Sequence, residues 1–266
     1  MIQNEYKYTH FGIFLKKRLI RVEFPFIASI FVAILYLNIR NFIPSSNPID
    51  LSPSFLDTFL HFGYLIPFFE NHNWINPVYW SLSVEFQYYL YIAITFPLAL
   101  SSKPINRFIF YAVYILPIYF ISNHNMFFSW SPFFLFGISY VLWKLKKINS
   151  YEAATIFTIT SIVVFMEINA IHVVIAFLSI SLIHFCAKYS NRWFNNLGNL
   201  SFSIYLLHSV TGAPLINLLS HYLKEPWQKF GVIISGVVFT LIAARLFYSI
   251  VELPSQMWSK KIKYNR

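Results

Sequence analysis

Between Val78 and Leu100 the chain carries a single charged residue, Glu85. An acidic group near the middle of an apolar helix costs about 2.5–3.5 kcal/mol on insertion scales, so such a residue needs either a partner or a task. At helical spacing Ser81, Glu85 and Tyr89 share one face, and Trp80 and Tyr88 flank it. A stripe of hydroxyl, carboxylate and phenols faces the interior of a bundle, because lipid cannot solvate it. It suits either a substrate cavity or a purely structural pairing of Glu85 with an Arg or His of a neighbouring helix.

Three further groups carry chemistry. In "KKRLIRVEFP", residues 16–25, Arg18, Arg21 and Pro25 fall on one stripe, with Lys17 one turn before Arg21. Guanidinium groups at the start of a helix suit phosphate, through bidentate donation and the helix dipole. They equally suit anionic lipid headgroups, and Glu23 stands close enough in sequence to pair with either Arg. In "LGNLSFSIYLLHSVTG", residues 197–212, Ser201, Tyr205, His208 and Gly212 make one side of a helix polar or small. His208 there is a hydrogen-bonding group for a sugar hydroxyl or a carboxylate, or else a structural partner. Asp57 and His61 lie one turn apart in a short apolar segment, where they form an acid/base pair at an external mouth or a local hydrogen bond. His172 and His184 have no acids near them in sequence.

Much chemistry is excluded by pattern. There is no G-x-S-x-G elbow to support a Ser-His-Asp triad, no H-E-x-x-H, and no P-loop or G-x-G-x-x-G. The single Cys186 removes intrachain disulfides and cysteine-built zinc sites, and no metal is expected.

These residues must be positioned by membrane helices. The chain of 266 residues is 57% hydrophobic, 21% aromatic and only 11% charged, a composition no soluble domain of this size shares. Its net charge of +10 reads as the positive-inside bias of a membrane protein, and no soluble basic face exists to hold nucleic acid. Apolar segments at 19–38, 54–69, 78–100, 107–122, 126–143, 152–167, 170–187, 199–220 and 230–251 give nine candidates. Basic clusters occur at Lys16–Arg21, Lys103 and Arg107, Lys144–Lys147, Lys188 and Arg192, and Lys260–Arg266. Placing all of them in the cytoplasm requires an even number of crossings between neighbours. The segment 54–69, short and interrupted by Asp57, His61, Gly63 and Pro67, is the one to leave as re-entrant or interfacial. The expected architecture is an all-α, single-domain bundle of eight spans with both termini cytoplasmic. Arg40, Lys224 and Lys229 are mild exceptions in outer loops, and the longest loop, 38–53, faces outward.

"YWSLSVEFQYYL" resembles the W-S-L-x-x-E-x-x-x-Y signature of the integral membrane acyltransferase 3 family, the O-acetyltransferases of surface polysaccharides and lipids. "FLKKRLIRVEFP" is similar to that family's R-x-x-R-x-x-P segment at its third span. "LGNLSFSIYLLHSV" looks like its late L-G-x-x-S-Y-x-x-Y-L-x-H segment, and "LFYSIVELP" resembles its closing E-x-P. The motifs occur in family order and cover nearly the whole chain.

The resemblance implies acetyl transfer across a bacterial inner membrane. Acetyl-CoA would bind from the cytoplasm with Arg18, Arg21 and Lys17 at its phosphates. Glu85, Trp80, Ser81 and His208 would serve the transfer, and Asp57, His61 and Tyr205 would meet a sugar or polysaccharide acceptor. Membrane lipids surround the bundle, and nothing in the residues sets an oligomeric state. Family members carry two earlier spans, with an Arg and, eleven positions on, a His that serves as the general base. The expectation is that this chain starts at the third span and lacks both. Two other readings stay open: a transporter or flippase for a lipid-linked sugar, whose polar stripes line a path without acylation, and a non-catalytic remnant.

Overall fold

The computed structural model describes residues 10–41, 53–69, 71–121, 123–186, 189, 191–223 and 225–263. Most of the loop at 38–53 lies outside the described residues, as do Lys188, Lys224 and Arg266. Every regular element among the described residues is helical.

The helices gather into two compact units. One comprises Gly12–Leu82 with Arg192–Arg266, the other Ser83–Asn191 with residues up to Phe11. In the first, α1 (Phe11–Arg18) continues through a π turn (Leu19–Glu23) into α2 (Phe24–Asn41). Then come α3 (Phe55–Phe62) and the start of α4 (Tyr79–Ala99). The unit ends with α9 (Arg192–Leu207), α10 (Gly212–Tyr222), α11 (Pro226–Phe247), a second π turn (Tyr248–Glu252) and α12 (Leu253–Lys261). The other unit holds the rest of α4, α5 (Pro104–Ile115), α6 (Ser131–Lys144), α7 (Ser150–Glu167) and α8 (Ala170–Cys186).

Both π turns have one cause. Each ends on a glutamate, Glu23 or Glu252, followed two residues later by a proline, Pro25 or Pro254. Proline offers no N–H and crowds the carbonyl four residues back, and a π turn is one way a helix absorbs this. The backbone acceptors released near Pro25 are taken by the other rod. Ser255 Oγ donates to the Ile20 carbonyl at 2.5 Å and contacts that of Arg21 at 3.3 Å, while Ser259 Oγ donates to Lys17 O at 2.8 Å. Lys17 Nζ returns a bond to Ile262 O at 2.9 Å. The first and last basic clusters therefore share one end of this unit. Replacing Ser255 by Ala is expected to orphan the buried acceptor and lower stability in detergent by about 1–3 kcal/mol, read from the thermal unfolding midpoint.

Among the described residues, helix length and apolarity pick out two of the eight expected crossings, and a third conditionally. Phe11–Arg40 (30 residues) and Pro226–Lys261 (36 residues) are long and apolar enough to cross a membrane. A third span exists if α9 and α10, bent by 61°, count as one. Prolines bound two of the others. α5 runs 12 residues and passes into a 3-10 turn at Pro117, and α6, which has Pro132 in its first turn, runs 14. Helices of that length reach about 18–21 Å, against a hydrocarbon core of about 30 Å. The segment 54–69 holds only the 8-residue α3 and a 3-10 turn, too short to span.

Candidate functional site

The segment after Ser54 folds back along α2. Ser54 and Asp57 form a reciprocal capping box that starts α3. Phe62 lies against Phe31, and at the turn Tyr64, with φ of 54°, stacks on Phe26 at 4.6 Å and faces Glu23. The chain then returns so that His72 reaches Asp57 and Ile75 reaches His61. Asp57 Oδ1 lies 2.6 Å from His72 Nδ1, and its Oδ2 accepts from Ser54 N and Oγ at 2.9 and 2.7 Å. The imidazole of His72 and these donors hold the Asp57 carboxyl below the usual carboxylate range.

His61 is fully buried. Its Nδ1 donates to the Asp57 carbonyl at 2.6 Å and its Nε2 accepts from Ile75 N–H at 3.0 Å. Burial pushes this imidazole down, towards the neutral form those bonds require. Of the two readings that spacing allowed for Asp57 and His61, the contact made is a local hydrogen bond from the His61 ring to the Asp57 carbonyl; the carboxylate is bound to His72, fifteen residues on.

The next loop is locked to the break between α9 and α10. Asn76, fully buried, donates to Leu206 O at 3.1 Å and accepts from Ser209 Oγ at 2.6 Å and Val78 N–H at 3.2 Å. Beside it Ser81 Oγ and the Tyr205 hydroxyl are hydrogen-bonded, and Tyr205 also donates to Val78 O. Two sequence candidates 124 residues apart are thereby joined. His208 is exposed at the end of α9, with Nδ1 2.9 Å from Tyr205 O. A carbonyl only accepts, so Nδ1 is the donor of this bond. The helix stops there, so Gly212 opens α10 and does not continue one face with Ser201, Tyr205 and His208.

The basic stripe also differs from its sequence reading. α1 begins at Phe11, so Lys17, Arg18 and Arg21 lie well past the first turn, where the N-terminal dipole no longer favours an anion. Lys17 is bound to Ile262 O, Arg18 lies over Phe14 at 5.6 Å, and Arg21 is exposed. Glu23 faces Tyr64, whereas the Arg21 charge acts on Glu252. Glu252, only 3% exposed, accepts from Ser203 Oγ and from Gln256 Nε2 at 2.9 Å. In the R-x-x-R-x-x-P pattern the proline follows the second Arg by three; here Arg21 and Pro25 are four apart, and the π turn takes up the extra residue.

In the other unit Glu85 is half-buried and accepts from Tyr89, one turn further along α4. Tyr88 stacks on Phe134 at 4.2 Å, and Gln87 binds Asn125 O and Phe127 N at 3.2 and 2.8 Å. Trp80 is half-buried just before Ser81. No group of three or more metal-ligating side chains occurs among the described residues. His72, Asn76, Ser203 and Glu252 escaped the sequence reading as site residues. Only Glu252 had a local signal, an acid two residues before a proline at the end of a long apolar run.

Carboxylates, imidazoles and hydroxyls gathered at the breaks and proline turns of apolar, span-length helices define a helical membrane protein. An acyltransferase domain, that of the acyltransferase 3 family, matches residues 5–249, and the chain belongs to this family. No curated protein and no solved structure matches it. At the level of the family this is a membrane acyltransferase, with an acyl donor and an acceptor substrate.

Proposed function

We propose that the chain takes part in acetyl transfer from acetyl-CoA to a hydroxyl of a cell-surface polysaccharide or lipid-linked sugar, in a bacterial inner membrane. The observation that supports this most is the Ser81–Tyr205 contact, which joins the W-S-L-x-x-E segment to the late Tyr/His segment inside one unit. In this reading eight spans cross the bilayer and both termini are cytoplasmic. Arg18 and Arg21, three apart near the end where both rods present their basic clusters, grip the donor's phosphates through planar, bidentate donors. Lys17, held on Ile262 O, adds charge there. Trp80 and Ser81 line the passage, Glu85 follows Ser81 one turn further along α4, and Asp57, Tyr205 and His208 orient the acceptor.

The donor contributes a thioester. The protein's own work is to bring a hydroxyl oxygen to its carbonyl carbon, accept the hydroxyl proton and exclude water. The test is acetyl-CoA binding to the purified chain in detergent or nanodiscs, by calorimetry. Arg18→Ala with Arg21→Ala is expected to weaken binding at least about tenfold, as loss of two charge-assisted contacts does. Unchanged affinity, or no affinity in the parent chain alongside transport of a lipid-linked sugar, would overturn the reading in favour of a transporter.

A further inference from the structure

We infer that His124, Trp130, Phe133, Asn169 and His172 form a binding platform for uncharged saccharide units. It rests on the acyl-transfer reading for naming the acceptor glycan as its ligand, and on geometry for its chemistry.

The five residues come from three places in the Ser83–Asn191 unit: the loop before α6, the first turn of α6, and the turn from α7 into α8. Their rings follow one another in nearly equal steps. Centroids lie 6.1 Å apart from His124 to Trp130, 6.0 Å from Trp130 to Phe133 and 6.0 Å from Phe133 to His172. Trp130, Phe133 and His172 are half-buried, while His124 and Asn169 are exposed, so the row is supported from within and open to a ligand.

The backbone beneath the row is pinned. Trp130 Nε1 donates to His124 O at 2.8 Å, and Ser129 Oγ donates to Ile121 O and Asn123 O at 3.1 and 2.9 Å. Gln87 Nε2 donates to Asn125 O, and its Oε1 accepts from Phe127 N–H. At the other end Asn169 Oδ1 accepts from His172 N–H at 3.2 Å and from His172 Nδ1 at 2.7 Å. The imidazole is thereby oriented, and neither its Nε2 nor the Asn169 Nδ2 makes a hydrogen bond among the described residues. A surface ordered before its ligand arrives loses little entropy on binding.

Flat apolar rings with a few placed amide and imidazole groups match a sugar, whose faces carry C–H bonds and whose edges carry hydroxyls. Charge decides the class of sugar. Residues 108–143 contain no Asp, Glu, Lys or Arg, and residues 153–187 contain only Glu167. A uronate or phosphate would find no cation here, whereas a neutral unit gives up no solvated charge. The row also lies at the right end. α6 begins beside it and reaches Lys144 about 21 Å away, so the proposed topology puts the platform on the outer face, where the acceptor arrives. A belt of interfacial aromatics would share that depth, but it needs neither a pinned loop nor an oriented imidazole and amide among the rings.

The experiment places the full chain in nanodiscs free of sugar detergent and follows ligands by saturation-transfer difference NMR. Maltohexaose and cellohexaose are the neutral probes and hexagalacturonate the anionic one. At least one neutral probe is expected to bind, with affinity falling about tenfold in Trp130→Ala and largely kept in Trp130→Phe, which retains a ring. Asn169→Ser keeps an oxygen for His172 N–H but loses the amide, so it should weaken binding while the unfolding midpoint stays near that of the parent. It carries the same prediction if Trp130→Ala does not fold. Binding by neither neutral probe, or neutral binding unchanged in these variants, would overturn the platform and leave an aromatic belt. Tighter binding of hexagalacturonate would overturn the uncharged class. Acetyl-CoA titrated into the same discs separates the two readings. Glycan bound without acetyl-CoA defeats the donor assignment alone, and acetyl-CoA bound without either neutral probe defeats the platform alone.

Discussion

Gly212→Ala is expected to lower stability by about 3 kcal/mol or more, as overpacking against rigid backbone does at its upper end. A Cβ at Gly212 would stand 2.6 Å from the Gly236 carbonyl oxygen and 2.1 Å from Thr240 Oγ1. The second atom belongs to a side chain, but the first is helix backbone and cannot rotate away. Helices cross this closely only where small residues let the backbones meet, and inside a bilayer that contact is a principal source of association. Gly236 faces the same crossing with a side chain as its nearest neighbour: its Cβ would meet Ile216 Cγ1 at 2.4 Å, and the Gly212 carbonyl oxygen only at 3.1 Å. Gly236→Ala should therefore be relieved by Ile216→Ala, whereas Gly212→Ala should not. Unfolding midpoints of the four variants in one detergent check both halves. Equal rescue at both glycines would show that side-chain crowding, not backbone approach, sets the spacing of α10 and α11.

The composition made helices and a membrane legible, and the motifs made the family legible. What it left hidden has a physical pattern. Asp57 with His61 was the natural pair at one-turn spacing, yet the chain's return brings His72 to the same carboxylate, and no periodicity reports a partner fifteen residues away. Glu23 looked like a partner for either Arg18 or Arg21, but it faces Tyr64, which the fold-back after α3 brings to it. Gly212 read as the continuation of a polar stripe because spacing assumes an unbroken helix. Thr211 Oγ1 instead caps Leu207 O at 2.7 Å and Ala213 N reaches back to His208 O at 3.0 Å, closing a turn there.

Charge clusters fared differently from helix lengths. The positive-inside bias puts Lys103 with Arg107 and Lys144–Lys147 on one side. In their own unit they do share an end, because Arg107 at the start of α5 binds Glu152 at the start of α7, and α6 finishes beside that start at Lys144. Crossing number was harder to read, since Pro117 and Pro132 shorten helices whose apolar runs look continuous.

That junction carries the second large effect. Glu152 accepts from Arg107 Nε at 2.8 Å, from Nη2 at 3.2 Å and from the Tyr111 hydroxyl at 2.7 Å, while Arg107 Nη1 also donates to Ser101 O at 3.0 Å. The two charged side chains are only 21% and 20% exposed. Glu152→Ala leaves a guanidinium and a phenol without their acceptor, and removing one member of such a pair costs about 3 kcal/mol, at the low end of the range because some solvent remains. Replacing all the polar partners together, as Arg107→Met, Tyr111→Phe and Glu152→Leu, strands no donor and should fall within about 1 kcal/mol of the parent. Acetyl-CoA affinity should be unchanged in the triple variant, because this cluster fastens α5 to α7 and touches none of the groups assigned to the donor. A triple variant as unstable as Glu152→Ala would mean that the ion pair itself, not the penalty for breaking it, holds the junction.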